Sequence, residues 1–399
     1  MVKSVDLRDP VVRKQRLTEL RNLKMAKSAH AFVRGSTDKF YAWLRSSEGA
    51  RLPEGPPVWI CGDCHSGNLG PITSSKGKVE VQIRDLDQTV IGNPAHDLIR
   101  LTLSLASAAR SSDLPGVVTA RMTEALIDGY SGCFDEESRP LVDAPAGIQT
   151  AMESAISRKW RHLAEERFQD RRSRLPLGKH FWPLSRDEDK EITELFASEK
   201  VRRLVTAMRN RDDNAHVEVL DAAYWVKGCS SLGLLRYAVL VLIGGKGGEL
   251  CLIDIKEATK ALAPRVADVS MPKDNAERVV KGAWHISPNL GDRMVSASVQ
   301  DKPVFLRELA PQDLKLDVTH LAEQEALAAA RYLAVVVGNA HARQMDEAQK
   351  RTWQKTLAAG RSGGLDAPSW LWTSVVDLMA SHEAAYLEHC RRYALECAA

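Results

Sequence analysis

Gly62-Asp63-Cys64-His65-Ser66-Gly67-Asn68 sets a carboxylate and a carboxamide five residues apart, and Asp85 and Asp87 follow at the end of the next apolar run. Phosphoryl transfer asks for these groups: a carboxylate to orient and deprotonate a hydroxyl, and carboxylate or amide oxygens to hold Mg²⁺ on phosphates. Any one of these Asp or Asn residues alone is explained by the preference of both for turns. The ordered set carries the chemistry, with Asp63 as base and Asn68 and an Asp after the following strand as metal ligands. A second constellation is Gly228-Cys229-Ser230-Ser231-Leu232-Gly233 ahead of one strand, with Lys256 on the next. A glycine-rich turn lets backbone N–H groups approach phosphates, and a strand-borne lysine sets a point charge against them. Gly-rich hairpin turns are common, and Ser230 stands where the usual GxGxxG spacing has its middle glycine. The turn therefore carries weight only together with Lys256.

A rival motif overlaps the first, because Cys61-Gly62-Asp63-Cys64-His65 has the CxxCH form of covalent haem attachment. That chemistry belongs to exported proteins, and the start MVKSVDLRDPVVRKQR has no apolar core of signal-peptide length. The same cysteines as a redox pair or half a zinc site find no second CxxC or HxxxH in the chain. His341 and Arg343, in NAHARQM, read as a helix end and not as a catalytic pair.

The elements that must position these groups follow from periodicity. Residues 12–47 read as helical, with Leu17, Leu20, Leu23, Phe40, Tyr41 and Leu44 recurring at helical spacing, and LPEGPP (52–57) ends them. VWICG and VEVQIRDLD read as two short strands of a hairpin-like unit around DCHSGNLGPITSSKGK. Residues 96–220 are mostly helical, interrupted at LPLGKHFWPLS. A β-rich segment spans about 224–316, with two strands around GGKGG and a third at PVFLREL (303–309), and helix returns from His320.

A chain of 399 residues can bury more than one core. Its 55 Lys and Arg against 52 Asp and Glu give a net charge of +3, which argues against a dedicated nucleic-acid binder. The charge is local: residues 1–50 hold eleven Lys or Arg and five Asp or Glu, and a second basic run lies between Arg158 and Arg174. Such runs are ordinarily solvated helix faces, the other reading being recognition of an anionic partner. The lack of an 18-residue apolar stretch gives no expected membrane partner, and seven scattered Cys fit a reducing, cytoplasmic location.

ICGDCHSGNLG followed by IRDLDQTVIGNPAHDL resembles the aminoglycoside and choline phosphotransferase branch of the protein-kinase-like superfamily, with its GDxHxxN loop, metal Asp and downstream GxPxxDL. The resemblance implies that Asp63 is the catalytic base, that Asn68 and Asp85 bind Mg²⁺ in preference to Asp87, and that Asp97 braces the catalytic loop through its backbone. His65 would be structural or catalytic. Over nearly its full length the chain also resembles the bacterial family called domain of unknown function 2252, placed with kinase-like folds. The matching stretches include KMAKSAHAFVRG (24–35), GCSSLGLLRYAVLV (228–241), LIDIKEA (252–258), NAERVVKGAWHI (275–286) and FLREL (305–309).

Together these imply an α+β, bilobal, protein-kinase-like fold. Because the glycine turn and lysine follow the catalytic loop, the fold would be circularly permuted. A helical lobe with the catalytic and metal loops would cover 1–220, a β-rich nucleotide lobe 221–316, and a helical segment 317–399 would complete the larger lobe. In that scheme Glu277 pairs with Lys256, and FLREL is the hinge strand that brings Glu308 and Leu309 to the nucleotide. The expected function is ATP- and Mg²⁺-dependent phosphoryl transfer to an unidentified acceptor, a small-molecule hydroxyl in preference to a protein. Nucleotidyl transfer is the variant chemistry, and a nucleotide-binding pseudokinase or regulatory protein is the alternative. One geometric requirement follows: Lys256 must lie across a cleft from Asp85.

Overall fold

The computed structural model describes residues 6–46, 52–135, 142–168, 174–208, 211–316, 321–359 and 367–395. They form a mixed α+β fold with antiparallel sheets. The largest sheet has six strands in the order β5 (Phe181–Trp182), β6 (Val217–Trp225), β7 (Arg236–Ile243), β8 (Glu249–Glu257), β10 (Lys302–Glu308) and β9 (Met294–Val299). Strand period two divides its residues between two faces. Tyr237, Val239 and Val241 of β7, Cys251, Ile253 and Ile255 of β8, and Val304 and Leu306 of β10 point one way, into a core. Leu17 of α1 (Pro10–Met25), Ile192 and Phe196 of α8 (Arg186–Ala197), and Leu204 and Val205 of α9 (Glu199–Thr206) close that core. The alternate residues, among them Leu252, Asp254 and Lys256 of β8, therefore look toward the rest of the molecule.

The sheet is larger than the three strands legible in the sequence, and its packing reaches ahead of residue 220 to Phe181–Trp182 and to α8 and α9. The N-terminal helix α1 joins the same core. Its Arg13 lies buried in a two-pronged ion pair with Glu188, at 2.7 and 3.0 Å, and Tyr237 donates to the same carboxylate at 2.9 Å. Glu188 also closes the capping box of α8 with Ser185. One side chain thus ties α1, α8 and β7 together.

A second core is built on α4 (Ala95–Ser111), buried along nearly its whole length. Against it pack α2 (Ala29–Gly35), α5 (Gly116–Gly132), α12 (Glu323–Ala342) and α14 (Ser369–Tyr393), while Trp353 of α13 (Glu347–Ala358) plugs the interior. Two small ribbons carry the chemistry-bearing loops. β1 (Val58–Ile60) pairs with β4 (Val90–Gly92), and β2 (Leu69–Thr73) pairs with β3 (Val79–Ile83). The hairpin expected between VWICG and VEVQIRDLD is thus corrected. Leu69–Thr73, which its Gly and Pro made look like loop, is itself a strand, and it finds VEVQI through the tight turn at 74–78, where the backbone N–H of Ser74 donates to Lys78 O at 2.7 Å. VWI is left to pair with the later strand. Helix α10 (Asn275–Ile286) bridges the layers, sending Ala276, Val279 and Ala283 into the second core.

Burial raises the Glu188 carboxyl, but Arg13 outweighs it and holds the group below its ordinary value of 4.5. A depressed folded-state pKa gives stability that is present above the unfolded value and lost as pH falls through the folded one. Glu188→Gln should therefore cost about 3 kcal/mol near neutrality, as breaking a buried pair does. The gap to wild type should narrow below about pH 4. Urea denaturation at pH 7 and pH 3.5 checks this; a gap that widens in acid would contradict it.

Candidate active site

The loop that carries Asp63 leaves β1 through Gly62, whose φ of +76° suits glycine and where an added Cβ would lie 2.2 Å from the carbonyl oxygen of Gln88. Its backbone is held from behind. Asp97, in the first turn of α4, accepts the N–H of Cys61 at 2.7 Å and of Gly62 at 2.9 Å. His341, buried at the end of α12, lies 3.2 Å from the same carboxylate through Nε2, and Tyr130 meets its Nδ1 at 2.8 Å. A carboxylate only accepts, so Nε2 carries a proton; in the neutral ring Tyr130 then donates to Nδ1 and itself accepts from Trp353 Nε1 at 3.4 Å. Tyr41 closes the front by donating to Gly62 O.

Asp63 projects from this held loop. Its two oxygens accept from Arg100 Nε at 2.9 Å and Thr37 Oγ1 at 3.0 Å, and 16% of its side chain stays open. Asn68, in the 3-10 turn Ser66–Asn68, donates from Nδ2 to the carbonyl oxygen of Asp85 at 2.7 Å, fixing the second loop against the first. His65 lines the same space, and burial, then Arg34 and Arg100, lower its pKa well below the ordinary value, so the ring is neutral.

The sheet meets these loops at Lys256. Its Nζ donates to Asp85 Oδ1 at 2.9 Å and to Asp87 Oδ2 at 2.7 Å, across 171 and 169 residues of sequence. Lys256 is almost wholly buried, while 48% of the Asp85 side chain and 25% of Asp87 remain open. Burial favours the neutral acid at both positions, but the open face of Asp85 tempers it, and Lys256, then Arg307, hold Asp85 far below the carboxylate range. Burial and then the Asp85 charge push Asp87 up to about 6. Beside this ion cluster lies a cavity of about 680 Å³ whose walls include Asp63, Asn68, Asp85, Asp87, Ser230 and Ser231. The glycine turn joins β6 to β7, and Gly228 takes φ +96° there.

A family profile for uncharacterized proteins conserved in bacteria, DUF2252, matches residues 13–392. The chain belongs to that family. No curated protein and no solved structure matches it.

In this DUF2252 chain three expected residues stand elsewhere. Glu277 is exposed at the start of α10, and the carboxylate partners of Lys256 are Asp85 and Asp87. Its buried neighbour Arg278 turns inward instead, donating to the backbone carbonyls of Asp87 and Thr259 at 3.0 and 2.8 Å and to that of Thr89. Glu308 and Leu309 do not line the cavity. Glu308 is gripped by Arg211 at 2.7 and 2.9 Å, and Leu309 is buried with Trp225, Ala238 and Leu252. The sheet face between them and Lys256 is closed by Asp254, which binds Arg236 at 2.9 and 2.6 Å and Arg307 at 3.2 Å.

Sequence reasoning missed Thr37, Arg100, Tyr130 and Arg278. Arg100 alone left a trace, one helical turn after Asp97 and therefore on the same face of α4. His341 and Arg343 do sit at a helix end, Arg343 as the C-cap of α12, but His341 also supports the Asp63 loop through Asp97. Cys61 and Cys64 are buried free thiols, and burial pushes the Cys61 thiol well up, away from the reactive thiolate. Among the described residues no cluster of three or more His, Cys, Asp or Glu is placed to hold a metal ion. No helix among them is long and apolar enough to cross a membrane.

Asp97→Ala would orphan two buried backbone N–H groups and the His341 Nε2 proton, and should cost about 3 kcal/mol or more. Asp97→Asn keeps one acceptor and should cost clearly less. Chemical denaturation of both variants checks the brace, and equal losses would contradict it.

Proposed function

We propose that the chain is an ATP- and Mg²⁺-dependent phosphotransferase of the protein-kinase-like kind, circularly permuted, acting on a small-molecule hydroxyl. The observation that carries this reading is the meeting of Lys256 with Asp85 and Asp87, beside the loop of Asp63 and Asn68 and under the turn of Ser230 and Ser231. In protein kinases the lysine rides on the third strand and the helix after that strand completes the nucleotide lobe. Here Lys256 lies on the third strand of the antiparallel run β6-β7-β8, and α10 follows it. The bilobal reading sets this sheet and its outer helices against the helical core built on α4.

The donor set suits such a cofactor at its phosphate end. Mg²⁺ prefers one or two carboxylates with waters and substrate phosphates over an all-protein cage, which fits two carboxylates and a carboxamide. Asp85, Asp87 and Asn68 would hold the metal, and Lys256 with the backbone of the Gly228–Gly233 turn would hold the phosphates. The cofactor supplies a transferable phosphoryl group and neutralises the charge on it. The protein supplies alignment. Asp63 receives the acceptor hydroxyl's proton on a carboxylate kept in orientation by Thr37 and Arg100, and the Asp97 brace keeps the loop from drifting.

The alternative reading, a nucleotide-binding protein without turnover, draws on the Asp63–Arg100 ion pair and on Ser230 at the glycine turn. The arginine occupies one of the two oxygens that would have to receive the proton.

Millimolar MgATP should raise the thermal denaturation midpoint, because a ligand selective for the folded state stabilises it by mass action. Asp63→Asn should lower turnover by roughly 10²–10⁴-fold with MgATP affinity nearly intact. Asp85→Asn should weaken Mg²⁺-dependent binding as well. Calorimetric titration and a phosphate-release assay across acceptor pools separate the outcomes: no MgATP binding defeats both readings, and binding without turnover on any acceptor selects the alternative.

A further inference from the structure

The cavity has a wall that the nucleotide reading does not use. It is formed where α2 ends and α3 (Thr37–Leu44) begins, and Arg21, Ser36, Thr37 and Lys39 all line it. Ser36 is the N-cap residue of α3, yet its hydroxyl makes no capping hydrogen bond. The Oγ atom is buried, with the residue only 1% exposed, and has no hydrogen-bond partner. A serine at this position ordinarily satisfies a first-turn amide. Here the Lys39 N–H turns to the Ser36 carbonyl oxygen at 3.0 Å, and no first-turn amide bonds the Ser36 hydroxyl.

The sequence around this point is basic. Arg21 and Lys39 line the cavity together with this turn, and Arg34 and Arg100 lie near enough to His65 to lower its pKa. Asp38, exposed in the same turn, sets one negative charge against them at the rim. The adjacent Thr37 already belongs to the proposed chemistry, since its hydroxyl holds Asp63. Whatever occupies the wall beside Ser36 therefore lies on the side of Asp63 from which an acceptor hydroxyl would come.

We propose that the N-terminus of α3, with the Ser36 hydroxyl and the Arg21 and Lys39 charges, is an anion subsite that recognises the acceptor. The acceptor is then a small hydroxyl compound bearing a phosphate or carboxylate group. An anion suits a helix N-terminus because the free N–H groups and the helix dipole both favour negative charge there. The anchor also gives positioning: a ligand held at Ser36 presents its hydroxyl to Asp63, one residue contact away through Thr37. The identity of the acceptor rests on the phosphotransfer reading, whereas the subsite itself does not.

The test titrates the full-length protein with inorganic phosphate by calorimetry at constant ionic strength, with acetate as the carboxylate probe. Wild type should bind phosphate. Ser36→Asp supplies a carboxylate that caps the amides itself, so folding is preserved and phosphate affinity should fall by about tenfold or more. Arg21→Ala, a change away from any core, should weaken it severalfold. Phosphate and acetate binding together show an anion site in general, and phosphate alone narrows the acceptor to a phosphate ester. With a non-hydrolysable ATP analogue and Mg²⁺ present, phosphate affinity should be unchanged. Displacement by the analogue would assign the wall to the nucleotide's own phosphates and overturn the proposal. Absence of phosphate binding in wild type, or equal affinity in Ser36→Asp, overturns it too. If the analogue itself fails to bind while Ser36→Asp still loses phosphate, the phosphotransfer reading and the acceptor assignment fall, and the anion subsite stands.

Discussion

A lysine ammonium cannot sit buried in a sheet without a counter-charge, and the one that Lys256 finds lies on a different layer of the molecule. Losing water at Nζ is costly unless the charge is paired and hydrogen-bonded, so the folded state is committed to bringing Asp85 and Asp87 to the sheet. The two carboxylates have the complementary difficulty. So close together, they cannot both ionise cheaply without a cation between them, which is why one is pulled down and the other pushed up. The ammonium serves that role in the chain alone, and a divalent cation would serve it better. An ion cluster of this kind is a poor choice for stability and a reasonable one for a site that exchanges charges.

The loops that meet Lys256 could not hold this geometry by themselves. They are short ribbons of three to five residues, and isolated two-stranded ribbons are marginal. Their rigidity is imported. Asp97 and His341 draw the Asp63 loop onto α4 and α12, Asn68 ties the second loop to the first, and Arg278 fastens the backbone beyond Asp87 to α10. Asp97, Asn68 and Arg278 satisfy backbone groups of the loops and His341 holds the Asp97 carboxylate, so each tie removes an alternative loop position and does not merely add a contact. The helical core is thus the frame on which Asp63 is aimed, and α10 links that frame to the sheet.

How much of this was legible depends on whether the signal was local. GDCHSGN, Asp85, the glycine turn and Lys256 are each readable because the chemistry demands particular residue types at short spacing. The structure brings Asp63, Asn68, Asp85, Ser230 and Ser231 around one cavity, with Lys256 bonded to Asp85 beside it across a sequence separation of 171. Asp97 was readable by resemblance, and its two backbone bonds are as expected. Thr37 and Tyr130 were not readable, and Arg100 only through its spacing from Asp97, because nothing else in a helical stretch marks which polar residue faces a loop from another part of the chain. The β2 strand was hidden by Gly70 and Pro71, both unfavourable inside a strand yet tolerated in a two-stranded ribbon with an open edge. Glu277 and Arg278 show the limit most sharply. Adjacent residues on a helix point about 100° apart, so a shift of one position exchanges an exposed acid for a buried base.

The hinge expectation at FLREL failed for a reason that bears on the cavity. Asp254 lies two residues before Lys256 and hence on the same sheet face, where Arg236 and Arg307 bracket it and hold its carboxyl far below the ordinary range against the cost of burial. Leu163, Leu175 and Phe181 cover the face beyond, against Leu252 and Leu309. A purine cannot share that space without dismantling three charges and a small core, either of which costs more than stacking on a strand returns. Space beside the ion cluster remains in the cavity, where Leu234 and Leu262 are apolar lining near Asp85 and Asp87. A ligand at the ion cluster would therefore have to carry its apolar part past Leu234 and Leu262, on the glycine-turn side of the cavity.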